Sequence, residues 1–135
     1  MKQFLCLLGL LLITGCSSHQ TESLSVETFN AQTAEAHSTG SADWPQSCLL
    51  VALRFVGDRD VCSRTIEISS KPERFEQAEV TITEEGLLDD SVDGHRHRLT
   101  LHKTSEGYWV LDSAQRSWKC VSGRGHTGYS CEPCS

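Results

Sequence analysis

The stretch AEVTITEEG, residues 78–86, decides how this chain is read. Apolar and polar side chains alternate along it, with Val80 and Ile82 facing inward, the period of a strand that buries one face. The same period recurs on both sides. VCSRTIEIS, residues 61–69, puts Cys62, Arg64, Ile66 and Ile68 on one face. HRHRLTLHKT, residues 95–104, groups His97, Leu99 and Leu101, with Arg96 and Arg98 opposite. YWVLDSAQRSWKC, residues 108–120, reads as a long strand bulged near Ser113. KPERFEQ, with Pro72 and its charges, is a connector, and Glu106-Gly107 is a turn. Upstream, DWPQSCLLVALRFVGD (residues 43–58) reads as a helix, entered at Pro45 and left at Gly57. Leu49, Ala52, Leu53 and Val56 share one of its faces, although so apolar a run also suits a buried strand. The expected fold class is α+β: one N-terminal helix packed on a four-stranded antiparallel meander, stapled by disulfides.

The start of the chain carries an address. Lys2 precedes FLCLLGLLLI, residues 4–13. Ten such residues are too few for a bilayer core of about 30 Å, which takes roughly 20 in a helix, but they suit the core of a signal peptide. ITGC, residues 13–16, resembles the lipobox of bacterial lipoproteins. That resemblance implies a diacylglycerol on the Cys16 sulfur, cleavage before Cys16 and acylation of the new N-terminus. Several acyl chains anchor a protein stably. Ser17 stands where an aspartate would resemble the inner-membrane retention signal, so the expected location is the periplasmic face of the outer membrane. The expected organisation is a signal peptide over residues 1–15, a lipidated flexible tether over 16–42, rich in Ser, Thr, Gln and Ala, and a small domain over 43–135.

Charge narrows the partners. The chain has 12 basic and 18 acidic residues, and removing Lys2 with the signal peptide leaves 11 against 18, a net charge of −7. Nucleic acid is not an expected partner, because binding it takes a basic face. A domain of this size buries about 60% of its unfolded surface, so staples help it. With Cys16 spent on lipid, Cys48, Cys62, Cys120, Cys131 and Cys134 remain, which allows two bridges and one leftover thiol in an oxidising compartment. A bridge across the tail closes a loop worth about 3 kcal/mol, and Cys120 can reach either Cys131 or Cys134 with nearly the same loop. A second bridge is expected between Cys48 and Cys62, which enclose a loop of similar length and would tie the start of the domain as the other ties its end.

GLLDDSVDGHRHR and WKCVSGRGHTGYSCEPC together resemble a group of uncharacterised bacterial lipoproteins. The shared features are a Gly-Leu-Leu-Asp-Asp-Ser-Val stretch, here residues 86–92, and a terminal Trp-x-Cys…Gly-Arg-Gly-His…Ser…Pro-Cys. Here the tail residues are Trp118, Cys120, residues 123–126, Ser130, Pro133 and Cys134. The resemblance covers about the last 60 residues and implies no activity. It favours Cys134 over Cys131 as the partner of Cys120, leaving Cys131 as the leftover thiol. Cys131 and the Val121-Ser122 pair depart from the pattern.

Chemistry finds less support than architecture. Cys131-Glu132-Pro133-Cys134 has the spacing of thiol oxidoreductases, but only Ser135 follows, so no helix N-terminus acidifies a thiol there. Cys120, Cys131, Cys134 and His126 would form a Cys₃His metal set only if the thiols stayed reduced. His95 and His97 share a strand face, a spacing that can chelate Zn²⁺ or Cu²⁺, while His102 points away. Asp89, Asp90 and Asp93 could add oxygen ligands. Alternating basic residues also read simply as a solvated face, with Arg96 or Arg98 paired to Asp89 or Asp90. No metal or cofactor is therefore assigned. Neither a Gly-x-Ser-x-Gly elbow nor a phosphate loop is present, and no enzyme is expected. The expected function is a non-catalytic binding or scaffolding domain, with the membrane (through Cys16) and an envelope protein as partners. The rivals are a metal-handling or thiol-redox protein and a hydrolase inhibitor.

Overall fold

The computed structural model describes residues 20–135, so the signal segment and Cys16 lie outside the described residues. In chain order the elements are β1 (Glu22–Leu24), α1 (Glu27–Thr39), a 3₁₀ turn (Trp44–Gln46), α2 (Cys48–Val56), β2 (Val61–Lys71), β3 (Arg74–Leu87), β4 (Val92–Lys103) and β5 (Trp109–Cys120). The strands form one antiparallel sheet in the order β1-β5-β4-β3-β2. The protein is α+β, and β2 to β5 make the meander that alternation indicates.

Alternation settles which face is buried. Val80 and Ile82 of β3 and Leu99 and Leu101 of β4 are sealed on the side that α2 covers with Val51, Ala52 and Val56. Each of these larger side chains contributes about 1.5–3 kcal/mol by leaving water. On β5 the face continues through Leu111 and Ala114, although the spacing between them is three. The reason is a bulge: Thr100 pairs with Ser113 but Leu101 with Leu111, which leaves Asp112 as the extra residue.

Three expectations on architecture are corrected. First, the helix expected over residues 43–58 is two pieces. Trp44–Gln46 is a separate 3₁₀ turn, and α2 starts only after Ser47, whose side chain accepts from the Leu50 N–H. Gly57 does close α2, donating its N–H to Leu53 O at 2.9 Å. Second, residues 16–42 are not a tether throughout, because Glu22–Leu24 is a fifth strand and Glu27–Thr39 a second α-helix. The sequence of α1 is mostly polar, and it folds through a few contacts. Phe29 meets Trp44 and Phe55 at ring distances of 5.8 and 5.2 Å, Thr33 is fully buried, and His37 stacks on Tyr108 at 4.5 Å. The folded unit therefore begins before residue 43. Third, Cys48 and Cys62 are free thiols and not a bridge. Cys48 packs against the core at the start of α2, whereas Cys62 lies over Gly86 at the rim of the sheet. Gly86 is required there, since it has φ +71° and a Cβ would stand 2.5 Å from that of Cys62.

Since β1 and β2 occupy opposite edges, the segment running from α1 to α2 crosses the buried face from one edge to the other. α2 packs over β3, β4 and β5, so the β2 side of that face is left to solvent.

Candidate functional site

The tail is architectural. A disulfide joins Cys120 to Cys134, and Cys131 is engaged as well, so it is not the leftover thiol. Cys120, His126 and Cys134 lie within 4.8 Å of one another, but the two sulfurs are bonded and offer no thiolate to a metal. Both His126 nitrogens face carbonyl oxygens, Nε2 at 2.9 Å from Glu132 O and Nδ1 at 2.7 Å from Gly128 O. These carbonyls, Glu132 first, raise the pKa of the ring, because two acceptors favour the imidazolium. Trp118 Nε1 donates to the same Glu132 carbonyl at 2.9 Å. Every polar group in this account holds the loop shut.

The two histidines considered for metal do come together. His95 and His97 face the same side of β4 with ring centroids 6.0 Å apart, while His102 turns away to Asp112 at 2.6 Å. Their surroundings are cationic. Arg59 Nη1 lies 2.6 Å from His95 Nδ1, which must accept, so the proton of the ring sits on Nε2. Burial first, and then the Arg59 charge, lowers both pKa values, that of His97 to about 3. A metal at this pair would have to displace the guanidinium. The aspartates are elsewhere: Asp89 accepts from the N–H groups of Ser91 and Val92 in the turn, and Asp93 pairs with Lys119 at 3.0 Å. The ion pairs considered between these aspartates and Arg96 or Arg98 do not form among the described residues.

Beside the histidines lies a charged group that the sequence reading missed. Glu84 is fully buried. Its Oε1 accepts from Arg64 Nε at 3.0 Å and Nη2 at 2.6 Å, and its Oε2 faces Arg59 Nη1 at 3.7 Å without a hydrogen bond. The signal was present, since Glu84 has the parity of Val80 and Ile82, and Arg64 that of Ile66 and Ile68. Read together, they place a carboxylate and a guanidinium on neighbouring strands of the buried face. The cluster fastens the loop after α2 to the sheet. It exposes no nucleophile and leaves its carboxylate neutralised by two cations.

The two edges of the sheet differ sharply. The outer edge of β5 is closed along its length. Asn30 takes both backbone groups of Leu111, β1 pairs with Ala114, Gln115 and Arg116, Ser130 exchanges two hydrogen bonds with Trp118, and Cys120 N–H donates to His126 O. The outer edge of β2 is open. Among the described residues no strand pairs with it, and its ladder to β3 keeps register from Val61 to Ser69. Ile66 and Ile68 are 38% and 48% exposed, and across from them Leu50 of α2 is 45% exposed. A cleft of about 410 Å³ runs between Trp44, Leu50 and Leu53 on one side and Arg64 of β2 on the other. A second, of about 450 Å³, lies at the hairpin end between Ser70, Arg74, Ala78 and Leu101.

Comparison with protein-family models, with curated proteins and with solved structures found no match to this chain.

Proposed function

We propose that the protein is a lipid-anchored binding domain of the bacterial envelope, non-catalytic, that holds an extended segment of an envelope protein along β2. The single observation that carries this reading is the contrast between the edges. Four groups from three parts of the chain (Asn30, β1, and Ser130 and His126 of the tail) close β5, whereas among the described residues β2 keeps nine residues of regular, unpaired edge beside exposed isoleucines. An open edge invites unwanted pairing, and proteins normally blunt one with charge, proline or a bulge. On β2 the register shift is confined to the end, between Ser69 and Lys71. Strand addition suits what is left, with main-chain hydrogen bonds giving affinity and alternate side chains giving choice. Ile66 and Ile68 would take apolar side chains, and the α2 cleft a larger one. Inhibition of a hydrolase would be one use of such a surface.

The location rests on Lys2, the apolar core and the Cys16 box. Among the described residues, no helix is long and apolar enough to cross a membrane. Cys16 lies six residues before β1 in sequence, and β1 is the sheet edge opposite β2, so an anchor there would attach at the far edge from the open one. Two substitutions test the two halves. Cys16→Ser should move the protein out of the membrane fraction, and Ile68→Lys should abolish partner capture without unfolding the domain.

A further inference from the structure

On the face of the sheet opposite the helices, β4 and β5 place Arg96 directly across from Ser117, and Arg98 across from Gln115. Tyr129 of the tail stands over this pair, its ring centroid 3.9 Å from the Arg96 guanidinium carbon. Thr21, just ahead of β1, closes the third side. These residues line a cleft of about 80 Å³. At about 30 Å³ per water, that is room for one phosphate-sized group and for little else.

We infer that this cleft binds a phosphate group. Its donors await an acceptor. Among the described residues neither Arg96 nor Arg98 has a carboxylate partner, in contrast to Arg59, Arg64 and Arg116, each of which faces one. Ser117 is only 5% exposed, and its hydroxyl makes no hydrogen bond to any described residue. Thr21 Oγ1 is buried and likewise unpartnered. Buried hydroxyls normally find partners, so the idle Thr21 hydroxyl, on a cleft that the Ser117 hydroxyl and two guanidiniums without carboxylates also line, marks a place for a missing acceptor. Arg96 is held by stacking on Tyr129, whose hydroxyl lies 3.4 Å from Glu85. The nearby carboxylates Glu85 and Asp93 share Lys119 at 2.9 and 3.0 Å, so the two arginines leave the site net cationic on a protein whose total charge is negative. Gln20, which lines the cleft, has φ +57°, an uncommon conformation for a residue other than glycine and one that concentrates at binding sites.

The phosphate has two sources, a lipid headgroup or a free phosphate in solution. Thr21 is five residue steps from Cys16, at most about 18 Å of extended chain, so on the lipid-anchor reading the cleft lies within reach of headgroups. The two sources are separable in one sample. The ¹⁵N-labelled full chain in zwitterionic micelles is titrated with inorganic phosphate at constant ionic strength, and separately with short-chain phosphatidylglycerol, while the Arg Nε–H and the Thr21 and Ser117 amide signals are followed. Saturable shifts at these residues are expected, with phosphate alone for a free ligand and with the lipid more strongly for a headgroup. Arg96→Gln/Arg98→Gln should weaken binding roughly tenfold or more, and Ser117→Ala, which keeps the fold, by several-fold. Arg74→Gln at the distant hairpin should change nothing. Absence of saturable shifts with both probes, or unchanged affinity in the Ser117 and arginine variants, would overturn the assignment. Because the anchor is not needed for the phosphate arm, that arm stands or falls independently of Cys16.

Discussion

Asn30 of α1 serves the backbone of Leu111 as a strand would. Its Nδ2 donates to Leu111 O at 2.8 Å, and its Oδ1 accepts from Leu111 N–H at 3.0 Å. β1 is three residues long and reaches only Ala114 to Arg116, so this carboxamide closes the stretch of edge that β1 cannot. It also ties a largely polar helix to the sheet next to the Asp112 bulge. Asn30→Leu removes both partners at a partly buried site and should cost about 2–4 kcal/mol in urea unfolding. Glu35→Ala, on the exposed side of α1, should stay within about 0.5 kcal/mol. Equal effects of the two would mean that the clamp contributes nothing.

The Glu84 cluster makes a second expectation. Glu84→Leu leaves Arg64 and Arg59 without their common carboxylate. The cost should lie near the lower end of about 3–5 kcal/mol, because both guanidiniums still reach solvent. Adding Arg64→Met should recover much of that loss, because it removes the cation closest to the lost carboxylate and leaves only Arg59, which is half-exposed and keeps its contacts to His95 and Val56 O. A double variant as unstable as the single one would argue that the charges themselves are not what matters.

Acid sensitivity follows from the histidines. The pKa of His97 is lowered from 6.5 to about 3 by burial and by Arg59, His95 and Arg116, and that of His95 is lowered in the same sense. Below 6.5 the unfolded chain takes up protons that the folded one refuses. Stability that is complete above pH 6.5 is therefore lost as pH falls toward about 3, at up to roughly 1.4 kcal/mol per pH unit for His97, and His95 adds in the same direction. Glu84 opposes part of the shift at His95 and moderates it. His126 has the opposite sign, since its raised pKa makes its contribution complete below 6.5 and lost as pH rises through the raised value. Denaturant midpoints between pH 5 and 6.5, above the range where carboxylates titrate, should slope steeply in the parent and less in His97→Gln. An unchanged slope would show that His97 is not the source.

How much of this was legible depended on periodicity. The four strands of the meander, the bulge in β5 and the side taken by His97, Leu99 and Leu101 all follow from a period of two. β1 and α1 do not, because three residues carry no period and α1 has few apolar side chains to align. Their structure comes from tertiary contacts, the Asn30 clamp and the Phe29–Trp44–Phe55 cluster, that local sequence does not contain. Cysteine spacing was a poor guide as well: loops of equal length do not say that Cys62 sits over Gly86, away from Cys48. The Glu84–Arg64 pair was readable from parity but was hidden by the habit of treating charges as solvated. The Ser117 cleft was not readable, because it joins β1, β4, β5 and the tail.

The tail disulfide should stabilise the domain by about 3 kcal/mol through the loop it closes. Cys134→Ser should lower the midpoint accordingly, and Gly125→Ala should also perturb the loop. At φ +143° a Cβ on Gly125 would stand 2.9 Å from the Cys120 sulfur. A parent protein that, once reduced, binds zinc stoichiometrically and regains the lost stability would return the tail to the metal reading.

The open edge of β2 is the heart of the functional proposal, and photocrosslinking in intact cells tests it most directly. A photoreactive residue would be placed singly at Ile66, Ile68 and Leu50, and in parallel at Thr81 and Thr83 on the other face of the sheet. One envelope protein crosslinked from the first three positions and not from the last two, with the product lost when Ile68→Lys is combined with the Ile66 probe, is the expected result. Crosslinks of equal yield from both faces, or none from the β2 side in cells where the protein is folded and at the membrane, would contradict it.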